Sequence, residues 1–496
     1  MTKAVVDIET DSLNATKIHC IVAKHYYSNQ ERCWIGDECK DFANWSKGIS
    51  EFVMHNGISF DAPVLNRLTG SNIKLNQIRD TLIESQLYNP IRDGGHSLES
   101  WGERLNYNKG NFTEFSEYSD NMLEYCKRDV ELTRRLSVKL QEEGKNFSSQ
   151  AYEIERKVRS IVDKQQQNGF ALNIKEAMLL QAELLDEQYN LERQADETFP
   201  PKEIQLKTKV KYVPFNIASR KQIAERLIEK GWKPDKHTDK GNIIVSEEVL
   251  SKIKDIPEAE MFSRYFLLQK RTGLLKSWIQ ECQEDERVRG KVLTLRTVTG
   301  RMAHHGPNMA QVPAIYSPYG KECRSLWTVS NTDTHSLVGT DASGLEIRCL
   351  AHYMDNAKFT DIVLSGDVHT ANQQAAGLKT RDQAKTFIYA FLYGAGAAKI
   401  GKIVGGDADV GQRLISKFLS NMSALKVLRE NIQERIKDHD TIRGLDGRML
   451  YIRSPHAALN TLIQGAGAII CKQWLIQMDN RINQLGIDAK LVASVH

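Results

Sequence analysis

Asp7 and Glu9 stand two positions apart in Ala4-Val5-Val6-Asp7-Ile8-Glu9-Thr10. In a strand both carboxylates leave one face, and Val6 and Ile8 leave the other. Two carboxylates that close repel unless a cation sits between them or one holds a proton. Asp61 ends the segment His55-Asn56-Gly57-Ile58-Ser59-Phe60-Asp61, which carries a turn signal. Tyr125 and Asp129 fall at i and i+4 of a helical stretch and share a face. Three short acidic sites of this kind could converge on two divalent ions about 4 Å apart. One ion would generate an attacking hydroxide, and the other would stabilise the leaving oxygen of a phosphodiester. Taken singly, each site is commonplace, because acidic strand ends and surface aspartates usually serve structure.

A second set lies in the other half of the chain. Leu337-Val338-Gly339-Thr340 reads as a strand that delivers Asp341, followed by Ala342-Ser343-Gly344-Leu345-Glu346. Arg381, Lys385, Tyr389 and Tyr393 then step by four, so they line one face of a helix for which Thr380 is the N-cap. Two cations at the start of a helix oppose its dipole, and a bound phosphate would resolve that conflict. Spacing alone leaves a solvated basic face over an aromatic core equally open. Thr299-Gly300-Arg301 lies in a polar stretch with His304, His305 and Asn308. The two histidines could hold a metal, but no adjacent carboxylate or cysteine completes a ligand set, which favours a surface or nucleic acid contact.

These residues need several elements to position them. With 496 residues, the chain has room for two or three domains. No apolar run approaches membrane-spanning length, and the first residues do not form a signal peptide. Eight scattered cysteines with no C-x-x-C pair fit a reducing cytoplasm. Residues 1–150 hold 18 Lys and Arg against 22 Asp and Glu, whereas the remainder holds 49 against 41. An acidic front suits cation binding, and a basic remainder suits a polyanion. The polar stretch Glu142 to Gln150 marks a boundary, after which 151–195 reads as long helices broken at Asn168-Gly169. Leu206-Lys207-Thr208-Lys209-Val210-Lys211-Tyr212, then Arg220, Lys221 and Thr238-Asp239-Lys240, suggest a track for a phosphate backbone. Lysines on an edge strand can equally serve to block aggregation.

Asp-x-Glu, then Asn-x(4)-Asp, then Tyr-x(3)-Asp is the order seen in the DEDD exonucleases of the subtype with Tyr. His96-Ser97-Leu98-Glu99-Ser100-Trp101 resembles the segment before the third motif of that group. As a whole the chain resembles family A (Pol I-like) DNA polymerases, and among them the replicative polymerases of short-tailed bacteriophages. The resemblance rests on those motifs together with Thr299-Gly300-Arg301, Asp341 to Glu346, Gly366-Asp367-Val368-His369, the Arg381 to Gly394 helix and Arg453-Ser454-Pro455-His456 to Gln464.

The resemblance implies an α/β ribonuclease-H-like exonuclease domain over 1–147. An α+β right-hand polymerase domain would follow over 148–496, with thumb about 151–290, palm about 291–355 and 456–496, and fingers about 356–455. It implies template-directed DNA synthesis with 3′–5′ proofreading, and two Mg2+ ions per site with Mn2+ as a substitute. Asp7, Glu9, Asp61 and Asp129 would be the exonuclease ligands, and Tyr125 would orient the attacking water. Asp341 and the carbonyl of Ala342 would hold the polymerase ions. Arg381 and Lys385 would bind the incoming dNTP with His369 near it, Tyr389 would stack on the nucleotide, Glu346 would wall off the ribose hydroxyl, and Tyr393 would lie near the templating base. Arg301, Asn460, Gln464 and His496 would touch the DNA primer–template.

The sequence departs from the family twice. Between Thr198-Phe199-Pro200-Pro201 and Phe215 lies only a short stretch, where the phage relatives carry a long insertion that captures host thioredoxin, so a thioredoxin partner is not expected. Leu491 to His496 resembles the strand that leads into the family's Asp-Glu pair, and the sequence stops there. The expectation is a C-terminally incomplete polymerase that retains exonuclease competence; a split or interrupted gene, a fragment completed by a second chain that supplies the rest of the palm, and a truncated sequence would all look the same. The alternative is a stand-alone 3′–5′ exonuclease with a DNA-binding remainder. Retention of Arg381, Lys385 and Tyr389 argues against it, because a nuclease needs no triphosphate site.

Overall fold

The computed structural model describes residues 2–28, 30–205, 210–238, 240–366 and 368–495. It divides into two compact units, one made of 1–167, 292–303 and 340–496 and the other of 168–291 and 304–339.

The first unit opens with a five-stranded sheet. β1 (Lys3–Thr10) lies at its centre, antiparallel to β2 (Ile18–His25), which pairs with β3 (Glu31–Ile35). On its other side β1 runs parallel to β4 (Glu51–Met54), and β4 runs parallel to β5 (Ile78–Asp80). The alternation of β1 sorts its side chains as the period of a strand requires. Ala4, Val6 and Ile8 enter one core with Phe42, Phe52 and Leu65, whereas Val5 enters another with Met122, Cys126 and Val130. The second core belongs to helix Asp120–Glu143, which Ser119 caps by accepting from Met122 N at 3.2 Å. Asp7 and Glu9 therefore share a strand face with Val5, the face that this helix covers. The register of β1 on β2 shifts between Glu9 and Thr10, a bulge at the point where the acidic pair ends.

The rest of this unit is mainly helical. Helices Leu345–Met354, Arg381–Leu392 and Ala458–Leu485 contribute Leu350, Phe387, Ile388, Leu462 and Ala466 to one core. Helix Ser149–Asn168 packs Val158 and Val162 against Ile469 and Leu475. Between these helices lies a charged cluster with no exposure. Lys472 Nζ donates to both Glu155 oxygens at 2.8 and 2.7 Å and to the Thr294 carbonyl at 2.8 Å. Arg448 pairs with Glu155 at 2.7 Å and with Asp446 at 2.7 Å.

In the second unit, helices Ile174–Thr198 and Glu258–Glu281 pack together over Leu184, Leu268 and Trp278. A small sheet places Phe170–Leu172 between Arg287–Val288 and Trp327–Thr328. The expected break at Asn168-Gly169 is present, with Gly169 at φ +61°. Of the basic segment, 206–209 lie outside the described residues. Val210–Val213 pairs with Lys202–Gln205, leaving Lys211 and Tyr212 exposed. Arg220 opens a helix capped by Ser219, and Thr238 and Lys240 lie outside regular helices, with Asp239 beyond the described residues.

The strand expected over Leu337–Thr340 does not form. These residues are extended coil, with Val338 84% exposed, and residues 487–495 likewise form no strand. A segment becomes a strand only when a neighbouring strand takes its N–H and C=O groups in a ladder, and among the described residues no sheet includes either segment.

Candidate active sites

The acidic residues of the front half converge. Asp7 and Glu9 descend from β1, and Asp61 is the first residue of helix Asp61–Thr69. Tyr125 and Asp129 stand one turn apart on helix Asp120–Glu143. Ligand atoms of Asp7, Glu9 and Cys126 lie within 4.8 Å of one another, the one such group among the described residues. His304 and His305 belong to no such group. Asp61 and Asp129 stand outside the triplet but within electrostatic reach. Burial raises the Asp7 carboxyl well above its ordinary value, and the charges of Asp61, Glu9 and Asp129 add to it. Burial and then Asp129 push Glu9 to about 8, and burial pushes Asp61 to about 7. Asp129 is also raised by burial, with Lys109 pulling the other way. Only 2% of Asp129 is exposed, and its Oδ1 has no hydrogen-bond partner.

A buried group of carboxylates with an orphaned oxygen fits a divalent cation, because a cation removes their repulsion and fills the open lone pair.

Three neighbours escaped sequence reasoning. Asp80 accepts from Asn56 N at 3.0 Å and Ile58 N at 3.2 Å, which holds the turn that aims Asp61. Cys126 Sγ donates to Asp7 Oδ2 at 3.5 Å. Lys109 Nζ lies 2.8 Å from Asp129 Oδ2. Asp80 directly precedes Thr81-Leu82, and it caps that helix by accepting from Leu82 N at 3.0 Å, a signal that was available. No pattern marked the other two.

The second set gathers around helix Arg381–Leu392. Thr380 caps it as expected, accepting from Gln383 N at 3.2 Å. Arg381, Lys385 and Tyr393 are exposed and Tyr389 is half-buried, while Ala384, Phe387, Ile388 and Phe391 fill the core. The Tyr389 and Tyr393 rings lie 6.3 Å apart at 27°, and His369 lies 6.3 Å from Tyr389. The Tyr393 hydroxyl donates to Glu346 Oε2 at 2.8 Å. Burial and then Glu346 push that hydroxyl to about 12, and Arg301 is close enough to oppose the shift. Arg301 and Asp341 both act on Cys471, which places them in the same neighbourhood. Asp341 is exposed and Ala342 half-buried, and neither belongs to a ligand group of three. Asn460 and Gln464 lie one turn apart on the half-exposed side of helix Ala458–Leu485. His496 and Asp367 lie outside the described residues.

Two family profiles match separate parts of the chain. The profile of DNA polymerase family A matches residues 180–496, and that of a 3′–5′ exonuclease matches residues 2–145. The chain belongs to DNA polymerase family A and carries a 3′–5′ exonuclease domain. Both families use divalent metal ions. The DNA-directed DNA polymerase of Escherichia phage T7 is 33% identical over 97% of this chain and 90% of its own length, and that of Enterobacteria phage T3 is 32% identical over the same shares. The T7 alignment runs over 645 positions, longer than this chain, so the relative carries segments absent here. DNA polymerase I of Aquifex aeolicus is 25% identical over 94% of this chain and 84% of its own. The polymerase domain of Pol1 from M. smegmatis, in complex with DNA primer-template and dNTP, superimposes with a TM-score of 0.78 at 16% identity, covering all of this chain and 88% of that one. That likeness speaks for the fold. The protein is thus a phage-type DNA-directed DNA polymerase with a 3′–5′ exonuclease domain. Among the described residues no helix is long and apolar enough to cross a membrane.

Proposed function

We propose that this polymerase serves phage DNA replication in the host cytoplasm, and that its acidic cleft removes mismatched nucleotides from the 3′ end of the primer. The observation that carries this reading is the convergence of Asp7, Glu9, Asp61 and Asp129, with Tyr125 beside them, from three separate segments. Asp7, Glu9, Asp61 and Asp129 would hold Mg2+, with Mn2+ as a substitute. Two such ions, when bound, supply an attacking hydroxide and stabilise the leaving oxygen. Tyr125, half-buried at the edge of the group, orients the attacking water through its hydroxyl. The cleft belongs to a domain spanning 1–147. The polymerase domain spans 148–496, with thumb about 151–290, palm about 291–355 and 456–496, and fingers about 356–455.

For synthesis, Arg381 and Lys385 bind the triphosphate of the incoming dNTP at a capped helix start, where N–H groups and the dipole also favour anions. Tyr389 offers a stacking surface that accepts any base, so the template chooses. Glu346, held by Tyr393, closes the position of a ribose hydroxyl. His369 lies beside Tyr389, and Tyr393 lies near the templating base. Arg301, Asn460, Gln464 and His496 are the proposed contacts to the primer–template. Asp341 and the carbonyl of Ala342 are the proposed ion ligands of the palm. Among the described residues Asp341 belongs to no group of three ligand side chains.

The test is a 5′-labelled single-stranded oligonucleotide incubated with the protein and Mg2+. A ladder shortening from the 3′ end, stopped by chelation, is expected. Absence of 3′ shortening, or shortening that persists in excess chelator, would overturn the assignment.

A further inference from the structure

Lys109 lies in the coil between helices Leu98–Arg104 and Asp120–Glu143. Its ammonium stands 2.8 Å from Asp129 Oδ2 and 4.9 Å from the centre of the Tyr125 ring, close enough to act electrostatically on the Tyr125 hydroxyl. The ion pair divides the Asp129 carboxylate. Oδ2 is taken by Lys109, and Oδ1 is buried without a partner.

The coil that carries Lys109 is pinned on both sides. Arg128 donates to the Asn108 carbonyl, and the guanidinium groups of Arg128 and Arg135 lie 4.6 and 4.1 Å from the Tyr107 ring centre. A Cβ at Gly102 would stand 2.9 Å from Lys109 N and 3.0 Å from the Tyr107 carbonyl, closer than side chains tolerate, so the bare backbone lets the coil close on the preceding helix. A Cβ at Gly110 would stand 3.2 Å from the Tyr125 ring. Flexible lysines on open surfaces lose much entropy on pairing and gain little. This one is 27% exposed on a fixed backbone, facing an aspartate that is 3% exposed.

We propose that Lys109 is a positioning residue of the hydrolytic site. It rests on the exonuclease reading above. By pairing with Asp129 Oδ2 against the Tyr125 ring, it keeps Oδ1 turned into the acidic cleft for a divalent ion and fixes the tyrosine whose hydroxyl orients the attacking water. Because the ammonium and a divalent ion are drawn to the same carboxylates, Lys109 does not raise affinity for the ion. Its effect is on geometry, and so on turnover.

Six proteins test this: the parent, Lys109→Met, Lys109→Arg, Tyr125→Phe, Lys109→Met with Tyr125→Phe, and Asp7→Ala. Hydrolysis of a single-stranded oligonucleotide in Mg2+ gives kcat and KM. Mn2+ binding is read by electron paramagnetic resonance, and the difference between parent and Asp7→Ala isolates this site's share. Lys109→Met is expected to lower kcat by about tenfold or more with KM within about threefold. Mn2+ affinity should be unchanged or tighter, and Lys109→Arg should regain most of kcat. Adding Tyr125→Phe to Lys109→Met should cost less than it costs the parent, because the two act as a unit. A kcat within about twofold of the parent, loss of Mn2+ binding together with kcat, or full additivity would each overturn the proposal. If Lys109→Met does not fold, Lys109→Gln is read by the same criteria. If instead the parent and Asp7→Ala hydrolyse equally, the exonuclease assignment itself fails, and the role of Lys109 falls with it.

Discussion

Glu346 and Tyr393, far apart in sequence, are joined by one hydrogen bond in which the tyrosine hydroxyl donates to Oε2 at 2.8 Å. The bond fixes a carboxylate that would otherwise swing freely at the start of helix Leu345–Met354. A fixed wall discriminates by size more sharply than a mobile one. Glu346→Ala should therefore raise ribonucleotide use relative to deoxyribonucleotide use by about tenfold or more. Competing rNTP and dNTP at one primer–template checks it. Tyr393→Phe, which frees the wall without removing it, should shift the ratio less.

Tyr389 sits half-buried between His369 and Tyr393, on the helix face proposed to bind the nucleotide. The resemblance to family A polymerases implies that a tyrosine here tolerates nucleotides that lack the 3′-hydroxyl. Tyr389→Phe should lower chain-terminator incorporation while leaving normal nucleotides nearly unaffected. Equal use of terminators by both proteins would count against this role.

The Glu155, Lys472 and Arg448 cluster should dominate the stability of the first unit's polymerase portion. Glu155→Ala leaves two buried cations facing each other, a loss of about 3–5 kcal/mol. The exposed pair Lys426–Glu430 supplies the control, at about 0–1 kcal/mol. Denaturant unfolding of both variants separates the two cases.

The acidic cleft makes stability depend on pH in the absence of divalent ions. Glu9 moves from its ordinary 4.5 to about 8, and Asp61 moves from 3.8 to about 7. Between those limits the folded chain holds protons that the unfolded chain has released, so stability falls as pH rises. The contribution is fully present below about pH 4 and gone above about pH 8. Melting temperatures in chelator should decline across that window, and saturating Mg2+ should flatten the decline.

Much of the site was readable because its spacing is local. The Asp7 and Glu9 pair follows strand alternation, Tyr125 and Asp129 follow the helical turn, and Thr380 is a cap at the start of a periodic run. The strand over Leu337–Thr340 was misjudged, since its apolar run suits a strand only when a neighbouring strand pairs with it. Lys109 was invisible, because a coil lysine has no periodicity and meets Asp129 only through the fold. The pairing of Glu155 with Lys472 spans 317 positions, beyond any local signal.

The most direct measurement of the central claim is hydrolysis from the 3′ end by Asp129→Asn set beside its affinity for single-stranded DNA. Removing one ligand charge without changing shape should cut kcat by about a thousandfold and leave DNA affinity within about threefold. Hydrolysis at the parent rate, or a loss that merely tracks lost DNA binding, would contradict the account.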